Sequence, residues 1–214
     1  MQENISEKSI LSCTELLSAK LLHDLAGPIG AIVNYIEFLS EGDKSNKDFV
    51  CLLSEASHEI MARFRISRQS YSLSEDNKSF SSAKANIEEY LNTKKVRLSW
   101  NIKSQMLNVQ LITKINKLIS NIIMLSMLIM INGEEIVVLL QEEGDRVILK
   151  ITLKAQSIEI HKNIQDILDK KADYILDTRN VQAWIISLLL IEYSVNLSYN
   201  FIQKGILEFC ILFI

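Results

Sequence analysis

Two apolar stripes in the first 72 residues constrain the fold of this chain more than any other feature. The first stripe steps by three and four residues, which predicts one face of a helix from about Ser6 to Ser40 and comprises Leu22, Leu25, Ile29, Ile32, Ile36 and Leu39. The polar segment 41–46 predicts a short connection to an antiparallel helix that ends near Ser72, with an apolar face of Phe49, Leu53, Ala56, Ile60 and Phe64. A lone hairpin offers two helices to cover both stripes. We therefore expect two hairpins to pair as a four-helix bundle, which makes a C2 homodimer.

The polar, serine-rich segment 72–82 is the best domain boundary in the chain. We expect a helical-hairpin domain over residues 1–76 and a second domain over residues 77–214. The elements predicted after the boundary are helix 83–91, strand 96–102, helix 109–131, strands 136–141 and 147–153 around a turn at 142–145, helices 160–171 and 179–193, and strands 196–202 and 206–213. This order places a layer of helices on a mixed sheet, so the expected fold class is α+β.

Composition excludes several classes of protein. One proline and six glycines in 214 residues argue against collagen-like, low-complexity and turn-rich all-β chains. A net charge of −3 provides no positive field for nucleic acid. The three cysteines form no C-x-x-C motif, the first residues lack the apolar region of a signal peptide, and the longest apolar stretch has 14 residues where a membrane span needs about 20. We expect a cytoplasmic protein with no membrane span, no nucleic-acid partner and no metal site.

The single proline, Pro28, lies five residues after His23, inside a helical pattern that continues on both sides. An interior proline removes a backbone hydrogen bond and costs about 3 kcal/mol, and Gly27 weakens the helix further, so we expect a kink one turn below His23. Helical geometry turns His23 toward solvent while its apolar neighbours face the core. A carboxylate that accepts one ring N–H leaves the lone pair of the other nitrogen available, so His23 followed by Asp24 suits nucleophilic chemistry. From the residues alone, His23 could also be an ordinary solvated surface histidine. They also do not show whether Asp24 reaches the ring.

Residues 23–32, His-Asp-Leu-Ala-Gly-Pro-Ile-Gly-Ala-Ile, resemble the H-box of two-component histidine kinases. They are closer still to the ChpT-type histidine phosphotransferases of alphaproteobacteria. Residues 62–71 are similar to the second helix of that family, residues 117–123 to its counterpart of a kinase N-box helix, and residues 178–184 to the start of its C-terminal helix. The resemblance spans most of the chain, and the H-box is its specific part.

The resemblance implies a dimeric bundle that carries a phosphohistidine, followed by a degenerate histidine-kinase ATP-binding domain that does not use ATP. His23 matches the phosphoacceptor, and Asp24 matches the acidic neighbour that orients or activates the imidazole. The partner-binding positions implied by the match are Arg65, Arg68, Pro28 and Gly27. The protein needs no cofactor of its own on this interpretation, because the partner receiver domain supplies Mg²⁺. Gln69, Ser70 and Ser72 depart from the family pattern, which bears on the docking surface more than on the chemistry.

The glycines argue directly against a nucleotide site of the kinase type. Such a site needs an Asp-x-Gly-x-Gly loop and a later Gly-x-Gly loop, because the phosphates require a close approach of the backbone. The glycines after residue 42 are Gly133, Gly144 and Gly205, each isolated and each at a predicted turn. Asn121 is either a relic metal ligand or a buried polar residue of an apolar helix.

The leading hypothesis from the sequence is a histidine phosphotransferase. It would relay a phosphoryl group, through His23, between receiver domains of a hybrid histidine kinase and of response regulators. The alternatives are a non-catalytic dimeric adaptor that binds response regulators and a divergent ATP-dependent histidine kinase.

Overall fold

The computed structural model describes residues 7–40, 47–103, 107–144, 146–171 and 174–213. The helices are α1 (Glu7–Ser40), α2 (Lys47–Tyr71), α3 (Phe80–Thr93), α4 (Val109–Ile129), α5 (Lys162–Leu168) and α6 (Val181–Glu192), with a 3₁₀ turn at Glu75–Lys78. The strands are β1 (Arg97–Ile102), β2 (Met130–Glu143), β3 (Arg146–Ile158), β4 (Asn196–Gln203) and β5 (Ile206–Phe213). The predicted connection 41–46 and Asp145 of the predicted turn lie outside the described residues. The predicted order of elements and the α+β class are confirmed.

The α1–α2 hairpin covers only part of the two apolar stripes. On α1, Leu25 and Ile32 are half-buried, but Leu22 is 71% exposed and Ile36 is 50% exposed. On α2, the predicted face is half-buried except for Phe64, which is 48% exposed. The expectation that the neighbours of His23 face the core is therefore wrong for Leu22 within one protomer. The stripe is wider than one partner helix can cover, so its outer half stays open.

The second part of the chain is a mixed five-stranded sheet with the strand order β1-β2-β3-β5-β4. Strands β1 and β2 are parallel, and the other neighbouring pairs are antiparallel. Helix α4 passes directly into β2 at Met130, so the predicted helix end at 131 and the strand start at 136 are both wrong. The first residues of β2, from Met130 to Gly133, pair with the end of β3, and an irregularity between Gly133 and Glu135 shifts the register by one residue. An apolar run of this length does not reveal its period, which is why the sequence misplaces the boundary.

Helix α4 forms the centre of the core. Its side chains Leu118, Ile119, Ile122, Ile123 and Leu125 are fully buried. Each such side chain contributes about 1.5–3 kcal/mol through burial. This helix is the scaffold against which the end of α2 packs, because Ile66, Gln69 and Ser70 are also fully buried.

Buried polar side chains join the end of α2 to the second part of the chain. The Asn121 amide donates to the carbonyl oxygen of Ser70 at 3.1 Å, and Asn77 donates to that of Gln69 at 2.8 Å. These bonds satisfy carbonyl groups that the last turn of a helix leaves without partners. Gln69 and Ser70, two of the three departures from the family pattern, lie in this buried junction and not on the surface of the protomer. The proposed division between residues 76 and 77 falls inside the 3₁₀ turn.

Two described helices, Leu11–Ser40 and Val109–Ile129, are long and apolar enough to cross a membrane by length and composition alone. Length and composition alone are a weak criterion, because the core helix of a soluble protein also meets it. The most apolar window of Val109–Ile129 is 67% buried inside the protein, whereas that of Leu11–Ser40 is 6% buried.

Candidate functional site

His23 projects from the middle of α1 into solvent. Its side chain is 89% exposed, and its Nδ1 lies 3.5 Å from Oδ1 of Asp24. The other oxygen of that carboxylate, Oδ2, lies 3.3 Å from Nζ of the buried Lys20, one turn earlier on the helix. The predicted exposure of His23 is confirmed, and the Asp24 carboxylate lies beside the ring, slightly farther away than an ordinary N–H···O hydrogen bond. A carboxylate on Nδ1 favours the tautomer in which Nε2 keeps its lone pair and faces outward.

Pro28 lies within α1, which is helical on both sides of it. A proline has no N–H, so the carbonyl oxygen four residues earlier, that of Asp24, loses its helical partner. Arg63 of α2 replaces it, since its Nη1 donates to the carbonyl oxygen of Asp24 at 3.0 Å. A carbon atom added at Gly27 would meet nothing within 4 Å, so this position is open to the exterior.

An acidic side chain holds Arg63 in place. Oε1 of Glu59 accepts from Nε of Arg63 at 3.1 Å, from its Nη2 at 2.8 Å, and from Nζ of Lys94 at 3.0 Å. Partial burial opposes ionisation, but the hydrogen bonds from Arg63 and Lys94 outweigh it and lower the pKa of Glu59. Burial raises the pKa of Tyr90, which lies beside this cluster, to about 12; the charge of Arg63 opposes that rise and the charges of Asp24 and Glu59 add to it.

Sequence reasoning missed Lys20, Glu59 and Arg63 as parts of this site. The signal available for Arg63 was the proline, because an orphaned carbonyl needs a donor from elsewhere. Nothing in the local pattern of α2 says which of its arginines supplies it.

The two arginines matched to partner binding are engaged within the protomer. Arg65 pairs with Glu89 of α3, and Arg68 pairs with Asp76 of the 3₁₀ turn, each with a nitrogen–oxygen distance of 2.5 Å. The hydrogen bond from Arg68 lowers the pKa of Asp76. Their side chains are 41% and 47% exposed, so each still presents part of its surface to solvent.

An open groove of about 860 Å³ lies between the hairpin and α3, beginning one turn from His23. Its wall on the hairpin combines three small residues, Gly27, Ala31 and Ala56, with larger side chains such as Tyr35 and Leu52. Pro28 and Glu89 also line it, so the groove brings two sequence-predicted positions together with the partner of a third, Arg65.

Asn121 and the three isolated glycines occupy defined places in the fold. The Asn121 amide donates to two carbonyl oxygens, and its Oδ1 accepts from Gln182 at 2.8 Å, which agrees with the packing interpretation. Gly144 and Gly205 have positive φ in hairpin turns, as predicted, whereas Gly133 lies inside β2 and not at a turn. Among the described residues, no group of three or more His, Cys, Asp or Glu could hold a metal ion.

Comparisons with known proteins agree with this architecture. The family model for the histidine phosphotransferase C-terminal domain matches residues 80–204, which is more than half of the chain. A bacterial phosphotransferase of known structure superposes with a TM-score of 0.79 at 22% identity, covering 94% of this chain and 96% of that one. The Acinetobacter baumannii histidine kinase AdeS gives 0.46 at 13% identity, covering 89% and 96%, and the histidine kinase domain of Erythrobacter litoralis EL346 gives 0.48 at 9% identity, covering 91% and 95%. The comparison with curated proteins found no match.

The family match and the fold agree with the resemblance seen in the H-box. They support a transferase role in two-component signalling. The chain therefore belongs to the histidine phosphotransferase family, as its ChpT-type H-box predicted.

Proposed function

We propose that this protein relays a phosphoryl group between receiver-domain aspartates through a phosphohistidine at His23. The observation that carries the proposal is the geometry of His23. Its ring is almost fully exposed, its Nδ1 faces a carboxylate, and that carboxylate belongs to a residue anchored by Lys20 and Arg63. Such a site presents one oriented nucleophile, the His23 imidazole, and the receiver domain would supply the other groups that the transfer needs.

In the proposed transfer, the lone pair of Nε2 attacks the phosphorus of a receiver phosphoaspartate. The N–P bond forms while the P–O bond to the aspartate breaks, and its electron pair returns to the aspartate carboxylate. The Nδ1 proton stays on the ring, where Asp24 stabilises the positive charge that develops on the imidazole. The reverse sequence delivers the phosphoryl group to a second receiver. Mg²⁺ bound to the receiver would neutralise charge on the phosphoryl oxygens.

The uncovered apolar face supports a homodimer. Leu22, Ile29, Val33 and Ile36 lie along one side of α1 and are each about half exposed or more. Pairing two copies through this face would bury it in a four-helix bundle. We infer a cytoplasmic homodimer in which each His23 remains accessible.

The groove beside His23 suits a receiver domain. Its position one turn from the nucleophile would bring the receiver aspartate close to the ring. An arginine at Ala31 would place a long charged side chain in the groove. We expect Ala31→Arg to raise the receiver concentration needed for half-maximal transfer by about ten-fold, with Asn34→Arg on the exposed side of the same helix as the control.

The test of the proposed function is transfer from a prephosphorylated receiver domain, without ATP. Labelling of the wild type with an acid-labile, base-stable adduct is expected. His23→Ala should abolish it, while His161→Ala should leave it unchanged. Residual labelling of His23→Ala would move the site elsewhere. Binding without labelling across several receivers would favour the adaptor, and a thermal shift with Mg-ATP would favour the kinase.

A further inference from the structure

The carbonyl oxygen of Asp24 is the one acceptor in α1 that Pro28 deprives of its helical N–H. It lies one residue after the nucleophile, in the turn that carries His23. A backbone carbonyl without a partner weakens the turn it belongs to, and the adjacent side chains lose their fixed direction. The hydrogen bonding of this carbonyl therefore affects the orientation of the His23 imidazole.

Arg63 supplies the missing donor from the other helix of the hairpin. Its Nη1 lies 3.0 Å from the Asp24 carbonyl oxygen, and its side chain is 22% exposed. Its other donors, Nε and Nη2, are both bound to Glu59, which also accepts from Lys94 at the end of α3. The guanidinium is thus fixed in a plane, with Nη1 directed at the carbonyl.

Asp24 is held at two points as a result. Lys20 binds one oxygen of its carboxylate, and Arg63 binds its carbonyl oxygen. The remaining carboxylate oxygen faces Nδ1 of His23. Arg65 and Arg68 lie on the same helix as Arg63, but the hydrogen bonds described for them go to Glu89 and Asp76, which follow the hairpin. Arg63, by contrast, donates to the main chain of α1.

We propose that Arg63 is a positioning residue for phosphoryl transfer, acting by capping the carbonyl that Pro28 leaves free in the turn of His23. The proposal rests on the proposed function of His23. Arg63 touches neither the ring nor the phosphoryl group. It acts through the main chain of Asp24, and through Glu59 and Lys94 it connects α3 to the turn of the nucleophile.

A double-mutant cycle with Pro28 tests this mechanism. In Pro28→Ala the new N–H at position 28 can bind the Asp24 carbonyl itself, so the guanidinium becomes redundant there. We expect Arg63→Met to lower the transfer rate at saturating receiver by about ten-fold in the wild-type background. In the Pro28→Ala background the same change should alter the rate by less than about two-fold. An equal loss in both backgrounds would overturn the proposal.

A spectroscopic readout tests the same idea without any receiver. The ¹⁵N shifts of His23 report its tautomer, and the chain has three histidines, which makes assignment simple. We expect the wild type to favour the Nδ1–H form and Arg63→Met to move toward a mixture, with recovery in the double variant with Pro28→Ala. Unchanged ¹⁵N shifts in a folded Arg63→Met would contradict the proposal even if no receiver labels the wild type, so its failure is distinguishable from failure of the proposed function.

Two further variants control for folding and for charge. Arg97→Met removes an arginine from the exposed face of β1 and should change neither the rate nor the His23 shifts. If Arg63→Met does not fold, Arg63→Lys keeps the charge and one donor nitrogen but loses the planar fork of the guanidinium. An intermediate loss of rate, again relieved by Pro28→Ala, would support the proposal, and a loss that Pro28→Ala does not relieve would contradict it.

Discussion

Gln182 holds together the buried junction between α2 and the second part of the chain. Its side chain is fully buried, and its Nε2 donates to Oδ1 of Asn121 at 2.8 Å and to the Asn121 carbonyl at 3.3 Å. Its Oε1 accepts from the hydroxyl of Tyr71, the last residue of α2. The change Gln182→Leu keeps a similar volume and removes all of these bonds.

The expected loss of stability follows from the groups left behind. Gln182→Leu strands two polar groups, the Tyr71 hydroxyl and Oδ1 of Asn121. Each buried group without a partner costs about 1–3 kcal/mol, so we expect a loss of about 2–6 kcal/mol. Burial raises the pKa of Tyr71 far above its ordinary value, and the charge of Asp24 adds to the rise, so the hydroxyl keeps its proton and its need for an acceptor. This loss is large compared with the free energy of unfolding of a typical protein, which is about 5–15 kcal/mol.

Urea unfolding followed by tryptophan fluorescence measures the loss, because Trp184 lies buried on α6 two residues from Gln182. Tyr71→Phe and the double variant complete a cycle, in which the two changes should be strongly non-additive. Gln141→Leu, at an exposed position of β2, is the matched control and should change stability by less than about 0.5 kcal/mol. A loss for Gln182→Leu as small as that of the control would refute the idea that this network joins the two parts.

Three other outcomes follow from the structure. Gly205→Ala should destabilise far more than Gly144→Ala in urea unfolding, because both residues have positive φ but the added carbon at Gly205 would lie 2.3 Å from a backbone oxygen; equal losses would contradict this. Partial burial of Glu59 opposes its ionisation, but the cationic partners Arg63 and Lys94 lower its pKa below the ordinary value of 4.5. The ionised Glu59 therefore contributes stability above pH 4.5, and this contribution is lost as the pH falls through the lowered pKa. Glu59→Gln should therefore be less stable than the wild type at neutral pH and should lose less on acidification, as measured by unfolding at a series of pH values; parallel curves would argue against it. Ile36→Glu on the open face of α1 should shift sedimentation toward the monomer, whereas Ile202→Glu, similarly exposed on β4, should not.

Much of the architecture could be predicted because its signals are local. Stripes with helical spacing predicted the α1–α2 hairpin, and alternation predicted the strands β1, β4 and β5 close to their observed bounds. The prediction of the boundary between α4 and β2 was wrong because no local signal marks it. The largely apolar stretch 118–131 shows no clear period, and the polar segment 132–135 that follows it gives no sign of a strand, so pairing with the end of β3 decided where the strand begins.

The candidate site divides in the same way. The exposure of His23 follows from its angle on the helix, and the neighbouring carboxylate was visible in the sequence. The two arginines assigned to partner binding, Arg65 and Arg68, proved to be paired with acidic residues of the following elements. Side-chain partners of that kind are far apart along the chain, so no local pattern indicates them.

The sequence by itself determined that α1 contains a turn with a missing N–H beside a histidine, because a proline carries that defect wherever it stands. It also determined that each helix of the hairpin has an apolar face in need of cover. Only the tertiary structure decided that Arg63, 39 residues after Asp24, repairs the defect, and that Asn121 caps the end of α2. The physical reason is that a lost hydrogen bond is a local fact, whereas the donor that replaces it is whichever group the packing of the helices brings within about 3 Å.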